Sequence, residues 1–439
     1  MSRTIQRIDS PTLRERVYHV TLESGLPVFF CPKPGFRKKY ACYSTFYGSV
    51  DNEFVDGSGE RARVPDGIAH FLEHTLFETD RGNVSDLFAR HGAYCNASTS
   101  FTTTTYLFAA SDRFYDNLEL LLGFVETPAF RAEKVEKERG IIEQEIEGYE
   151  DSPDWVSYRT LLENIFERHP IRIDIAGTAE TIREIDVPAL ERCYRAFYHP
   201  ENMCLFVTGD LEKEELFAFI DAHSRPRDSA RPVSRRHYPG ESRNVAKRES
   251  RLEMTVALPK LLLGFKEVDV PAKGREYVHR ELASEMALQI LFGRGSDLFR
   301  ELYDSQLALD DFSASYGAGT GIGYAVLGGD TPSPDKLREA IVARLEELRR
   351  KGLRDEDFER QKRKFIGGFI RGFNSLEYLA SYYTYFRFHE FDLFDTIDLL
   401  HEVSKDELEA RVVELLDPEY LTTVVVSPRP GSEPGPDPV

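Results

Sequence analysis

Apolar and polar residues alternate from Tyr18 to Thr21 and again from Pro27 to Cys31, on either side of Ser24-Gly25, which predicts a β-hairpin. Tyr40 to Gly48 reads as a further strand. So does Thr102 to Ala109, a run of β-branched and aromatic residues. Elsewhere the period is helical. Ile68, Phe71, Leu72, Leu76 and Phe77 recur at the spacing of one helix face, with Asp66 as the expected N-cap. Amphipathic helices are predicted over Asn117 to Val125 and Leu337 to Leu348.

A longer regularity spans the chain. Phe130 to Arg139 parallels Leu353 to Lys362, and each follows one of those two amphipathic helices. Further on, Ile185 to Glu191 parallels Val403 to Glu409. Both stretches then run through a helix to a proline, Pro200 or Pro418, and end in a strand, Met203 to Val207 or Leu421 to Val426. Such self-similarity is the mark of a duplicated unit. The fold expected is α+β: two homologous, sandwich-like α/β domains in tandem, each a sheet covered by helices. Their expected extents are 1–225 and 251–430. A linker, 226–250, is rich in Pro, Ser and Arg, and a Pro/Gly-rich tail, 431–439, is expected to be disordered.

Composition narrows the function. A chain of 439 residues exceeds one ordinary core. Its 75 acidic and 56 basic residues leave a net charge of −19, which repels phosphate backbones and anionic lipid headgroups. Neither a nucleic acid nor a membrane is an expected partner, and acidity of this kind serves solubility. The first residues lack the apolar core of a signal peptide, and no run of 18 apolar residues occurs. The five cysteines, Cys31, Cys42, Cys95, Cys193 and Cys204, are odd in number, form no CxxC pair and lie in or beside apolar segments. Reduced thiols and a cytoplasmic location are expected.

Candidate chemistry lies in Asp66 to Phe77. His70 and His74 stand at i and i+4 on one helix face, where two imidazoles converge on one divalent ion, and zinc suits imidazole nitrogen. Glu73, next to His74, can lie beside the metal as a general base. The pattern H-x-x-E-H is the inverse of the commoner H-E-x-x-H. Alone it also fits two surface histidines beside a glutamate. A catalytic zinc needs a third protein ligand, and the helix around Glu138 to Glu147 offers one: Glu138 and Glu145 are two turns apart on a common face. Acidic runs are ordinarily solvated, but the duplication sets this one apart. The second half carries Gln361 and Gly368 where the first has Glu138 and Glu145, and Glu285 to Gln289 where the first has His70 to His74. One copy keeps a metal constellation and the other keeps the scaffold.

In these features the chain resembles the pitrilysin family of inverzincin zinc metallopeptidases, on the branch of the mitochondrial processing peptidase, over nearly its whole length. The resemblance implies a zinc-dependent endopeptidase subunit that cleaves short or unfolded peptides, leader or processing peptides among them, within half of a clamshell chamber. It implies one Zn2+ per chain on His70, His74 and Glu145, with Glu73 as general base and Glu138 as the acidic residue that orients a ligand. Glu143 and Glu147 fall off that register and are expected to be solvated. The segment Asn96, Ala97, Ser98 and Thr99, ahead of the Thr102 to Tyr106 run, is implied to be the sheet edge on which substrate lies as an added strand. There is one departure. An Arg and a Tyr seven apart, which hold the substrate carbonyl in active members, are matched here by Leu302 and Leu309, with Arg300 and Tyr316 nearby but out of register. That implies a sister subunit supplying Arg and Tyr in a heterodimer, with a homodimer as the rival. A non-catalytic, peptide-holding subunit is the alternative function. His91, His199 and His223 have no partner at ligand spacing, the cluster Phe386 to Phe391 reads as helix packing, and Gly317 to Gly323 reads as a loop or sheet edge.

Overall fold

The computed structural model describes residues 5–80, 82–225 and 235–429. The expected tail, 431–439, and residues 226–234 of the expected linker lie outside the described residues.

Seven strands form the first sheet: β1 (Gln6–Ser10), β2 (Glu15–Thr21), β3 (Pro27–Pro32), β4 (Lys39–Thr45), β5 (Tyr94–Thr99), β6 (Thr104–Ala110) and β7 (Met203–Gly209), in the order β1-β2-β3-β7-β4-β6-β5. The predicted hairpin is β2 and β3, with Tyr18 opposite Phe30. The strand expected to reach Gly48 ends at Thr45. There the backbone leaves the ladder, and Phe46 N–H bonds the Asn202 carbonyl instead. Along the central strands, successive side chains enter different cores. Val28, Phe30, Ala41, Tyr43, Leu205 and Val207 point to one, and Phe29, Cys31, Tyr40, Cys42, Cys204 and Phe206 to the other. A sheet buried on both faces needs near-continuous apolar strands, which is what these are.

The second sheet has β8 (Glu249–Met254), β9 (Lys260–Val268), β10 (Ser313–Gly319), β11 (Ile322–Asp330) and β12 (Leu421–Pro428), in the order β8-β12-β9-β11-β10. This repeats β3-β7-β4-β6-β5. In both, the first pair is parallel, Val28 opposite Leu205 and Ser250 opposite Val424, and the other pairs are antiparallel. The Gly317 to Gly323 run is the tip of the β10–β11 hairpin, at a sheet edge.

The halves exchange helices. The helix that follows the acidic segment of the first half, Pro153–Ile165, packs on β12, β9 and β8 of the second sheet. Its counterpart, Leu376–Phe388, packs on β7 and β4 of the first. Each starts on a serine whose side chain caps the first turn, Ser152 accepting from Trp155 N–H and Ser375 from Tyr378 N–H. Leu161, Leu162 and Ile165 are buried with Val424 and Tyr324, and each such side chain contributes about 1.5–3 kcal/mol. Gly264 on β9 permits the close approach, since a Cβ there would meet Ile165 Cδ1 at 2.8 Å.

The described part of the linker is tied down. Arg235–Arg236 pairs with Glu53–Val55, and Tyr238 donates to Asp51 Oδ1 at 2.6 Å. Among the described residues, no helix is long and apolar enough to cross a membrane. All five cysteines are free thiols, and all but Cys95 are buried.

Candidate metal centre

The H-x-x-E-H segment forms helix α1 (Ile68–Phe77), and the acidic segment forms α2 (Ala132–Glu150), which packs against it. Asp66 is not the cap of α1. Gly67 holds that place in the left-handed region, φ 91°, without a side-chain cap, while Asp66 Oδ1 accepts from Asn52 Nδ2 at 2.7 Å. The exchange follows from crowding, since a Cβ at Gly67 would lie 2.4 Å from the Ala176 carbonyl oxygen. Gly67→Ala therefore combines a left-handed non-glycine residue, about 1–3 kcal/mol, with that collision. A lowered midpoint in denaturant unfolding is the expected result, and an unchanged midpoint would contradict it.

His70, His74 and Glu145, the ligand set that the resemblance implies, converge. One ligand atom from each lies within 4.8 Å of the others. His74 Nε2 is 3.4 Å from Glu145 Oε2, and His70 Nε2 is 3.7 Å from Glu145 Oε1. Ligands about 2.0–2.2 Å from one zinc ion span such separations. Glu138 Oε2 stands 3.4 Å from His74 Nδ1, so it holds the proton on Nδ1 and leaves the Nε2 lone pair toward Glu145. Glu138 thus acts through His74. His70 Nδ1 is buried with no hydrogen-bond partner. Nothing among the described residues fixes its tautomer, whereas an ion on Nε2 would. The donor set, two imidazoles and a carboxylate, fits zinc.

The charges are unevenly poised. Burial, and then the neighbouring His74, push the His70 pKa down to about 4 against the pull of Glu145. His74 behaves oppositely. Burial disfavours its cation, but Glu138, Glu73 and Glu145 outweigh that and hold its pKa above the ordinary value. Burial raises the Glu73 carboxyl, opposed by a hydrogen bond from Thr99 Oγ1 to Glu73 Oε2 at 2.6 Å.

The centre opens into a cavity of about 610 Å3 whose wall includes Asn96, Ala97, Ser98 and Thr99 of β5, with Glu73, Glu138, Ile141 and Lys137. β5 pairs only with β6, so its far edge is open among the described residues. No arginine among the described residues lines the cavity. Leu302 is buried. Tyr316 donates to Glu267 Oε2 at 2.6 Å, and Arg300 lies by Asp297 at 3.8 Å. Glu147 is exposed as expected, but Glu143 accepts from Arg183 Nε at 2.9 Å rather than standing in solvent alone. His91, His199 and His223 bond Asn117, the Glu201 N–H and the Phe219 carbonyl, away from the centre.

Sequence reasoning missed two groups. Thr99 belongs to the expected substrate edge, yet its hydroxyl also fixes Glu73. Tyr149, one turn beyond Glu145, donates to Glu145 Oε1; its i+4 spacing was the available signal.

The equivalent face of the second half does different work. On Gly274–Phe292, Glu285 and Gln289 occupy the positions of His70 and His74. Glu285 Oε2 accepts from Tyr316 N–H at 3.1 Å, Gln289 Nε2 donates to the Ala314 carbonyl at 3.3 Å, and Tyr277 Oη reaches the Ala318 carbonyl at 3.5 Å. These are alternate residues of β10, so side chains from one helix occupy the outward edge of that strand.

Comparison with known proteins agrees with this division. The family described as insulinase (peptidase family M16) matches residues 56–179, and the peptidase M16 inactive domain matches residues 184–365. A Bacillus subtilis protein described as an uncharacterized zinc protease, YmfH, is 40% identical over 97% of this chain and 100% of its own length. The crystal structure of an M16-like peptidase from Alicyclobacillus acidocaldarius superposes with a TM-score of 0.92 at 34% identity, covering 96% of this chain and 100% of that one. The periplasmic protease PqqL from Escherichia coli shares the fold (TM-score 0.75, 16% identity), with 96% of this chain covering 48% of that one.

Proposed function

The chain belongs to the M16 peptidase family, and from that premise we propose that it is a zinc-dependent endopeptidase subunit acting on short or unfolded peptides. The observation that carries this reading is the convergence of His70, His74 and Glu145 within 4.8 Å, with the buried carboxylate of Glu73 next to His74 on the same helix. Zinc held by those three side chains supplies Lewis acidity toward a water molecule and a peptide carbonyl.

The rest is done by the chain itself. Glu73 takes a proton from the attacking water and returns it to the leaving amine nitrogen. Thr99 occupies one of its oxygens, Oε2, and leaves Oε1 for this transfer. Burial raises its pKa above the ordinary glutamate value, a direction that suits a group that must both accept and give up the proton. An extended peptide adds to the open edge of β5, where backbone hydrogen bonds set its register beside Glu73. Its backbone, more than its sequence, is what such an edge reads, so leader removal and general peptide turnover both fit.

With no arginine among the described residues on the cavity wall, the reading includes a homologous sister subunit that contributes Arg and Tyr to the carbonyl. A homodimer is the rival. Free, mostly buried thiols support a reducing cytoplasmic setting. The test is zinc content by elemental analysis, together with cleavage of a quenched peptide library by the chain alone and mixed with a candidate sister chain. One zinc per chain and cleavage on mixing are expected. Cleavage by the chain alone would discard the obligatory partner. No zinc and no cleavage in any mixture would leave the peptide-holding, non-catalytic role.

A further inference from the structure

We propose that Tyr149, braced by Trp155 and Asp174, is a positioning residue that sets how tightly Glu145 holds the metal; the inference rests on the zinc reading above. Glu145 is the most exposed of the three ligands, its side chain 28% accessible against 11% for His70 and 24% for His74. A glutamate reaching from a helix must give up rotamer freedom to ligate. Tyr149 removes part of that freedom in advance by donating its hydroxyl to Oε1.

The phenol is itself held. Its ring stacks on Trp155, centroids 4.4 Å apart and planes at 14°. The indole Nε1 donates to Asp174 Oδ2 at 2.6 Å, and Asp174 Oδ1 accepts from Ala176 N–H at 2.9 Å. Ala176 is the residue whose carbonyl crowds Gly67 at the start of α1. One loop thereby touches the helix that carries both histidines and, through Trp155 and Tyr149, the side chain of the third ligand.

The second half supplies an internal control. Where the first half has Glu145, Tyr149 and Trp155, the second has Gly368, Gly372 and Tyr378. A Cβ at Gly372 would lie 2.4 Å from Tyr378 Cε1, so the tyrosine ring fills that space. The copy without the carboxylate also lacks its donor.

Trp155 begins the exchanged helix, which also joins the second sheet through Tyr158 and Tyr324, hydroxyl to hydroxyl at 2.8 Å.

The experiment is zinc affinity by chelator competition on the full chain, wild type beside Tyr149→Phe and Trp155→Phe. Melting temperatures are taken on the metal-free proteins. Tyr149→Phe keeps the ring and the stack and loses only the donor. Its affinity is expected to fall about 10- to 100-fold, the usual cost of removing a group that orients a metal ligand. Trp155→Phe keeps an aromatic face without the indole N–H and is expected to weaken zinc binding by a smaller factor, while metal-free melting stays unchanged in Tyr149→Phe. Wild-type affinity in Tyr149→Phe would overturn the proposal while leaving the zinc reading intact. A wild-type chain that takes up no zinc would overturn both.

Discussion

Glu73→Gln is expected to cut peptide cleavage by about 100- to 10,000-fold, the range over which a positioned general base contributes, while zinc content and unfolding midpoint stay as in the wild type. The substitution is nearly isosteric, and a glutamine carbonyl can still accept from Thr99 Oγ1, which now bonds Glu73 Oε2. What it cannot do is take a proton. His70, His74 and Glu145 keep their places, because none of them depends on Glu73 for a hydrogen bond. Burial opposes the charge on Glu73, so a neutral amide brings no new desolvation cost. Turnover of quenched peptides, elemental analysis and calorimetry on one preparation check the three parts. Retained turnover would remove Glu73 from the proposed role. Lost zinc would mean that its carboxylate belongs to the ligand set.

The largest stability effect is expected at a buried ion pair far from that chemistry. Arg411 and Glu267 have side chains only 5% and 6% accessible. Arg411 Nη1 donates to Glu267 Oε1 at 2.6 Å, Nη2 reaches Oε2, and Nε donates to Ser284 Oγ at 2.7 Å. Arg280 and Tyr316 converge on the same carboxylate. Glu267→Gln leaves the Arg411 guanidinium buried with only Glu414, half exposed, as a charged partner. Breaking such a pair costs about 3–5 kcal/mol, read as a lower denaturant midpoint with an unchanged slope.

Acid should reduce the difference. Burial works to raise the Glu267 pKa, but Arg411, Arg280 and Tyr316 outweigh it and hold the folded value below the ordinary 4.5. A carboxylate depressed on folding contributes fully above its unfolded value and loses that contribution as the pH falls through the folded one. Wild type and variant are therefore expected to differ by the full amount at neutral pH and to converge below about pH 4. A gap that stays constant well below that pH, through the range where a depressed carboxylate must protonate, would show that the lost contribution is not ionic.

Local features of the molecule were legible from local pattern. Alternation at Tyr18 to Cys31 announces a hairpin, and helical spacing aligns His70 with His74 and Glu138 with Glu145. The duplication was legible too, because the second half repeats the sheet order of the first. Features set by distant contacts were hidden. An apolar stripe on Pro153–Ile165 announces burial but not against which sheet, so the exchange of helices could not be read. Asp66 has the chemistry of a cap, but Ala176, more than a hundred residues away, requires a residue without a Cβ at the next position. The Thr99 contact to Glu73 depends on how close β5 comes to α1, which no spacing encodes. Arg183 likewise meets Glu143 only because the helix Ala179–Arg183 packs back against α2.

Strand edges behave like chemical valences: each open one can accept another chain, and a molecule with two can keep growing. Of the two equivalent edges here, β5 is open, with Tyr94 62% accessible beside it, and β10 is closed by Tyr277, Glu285 and Gln289. Through this pair of edges the chain is monovalent. Pairing of β5 with β5 of a second copy uses up that edge in both chains, because β10 offers no second free edge of the kind to pass on.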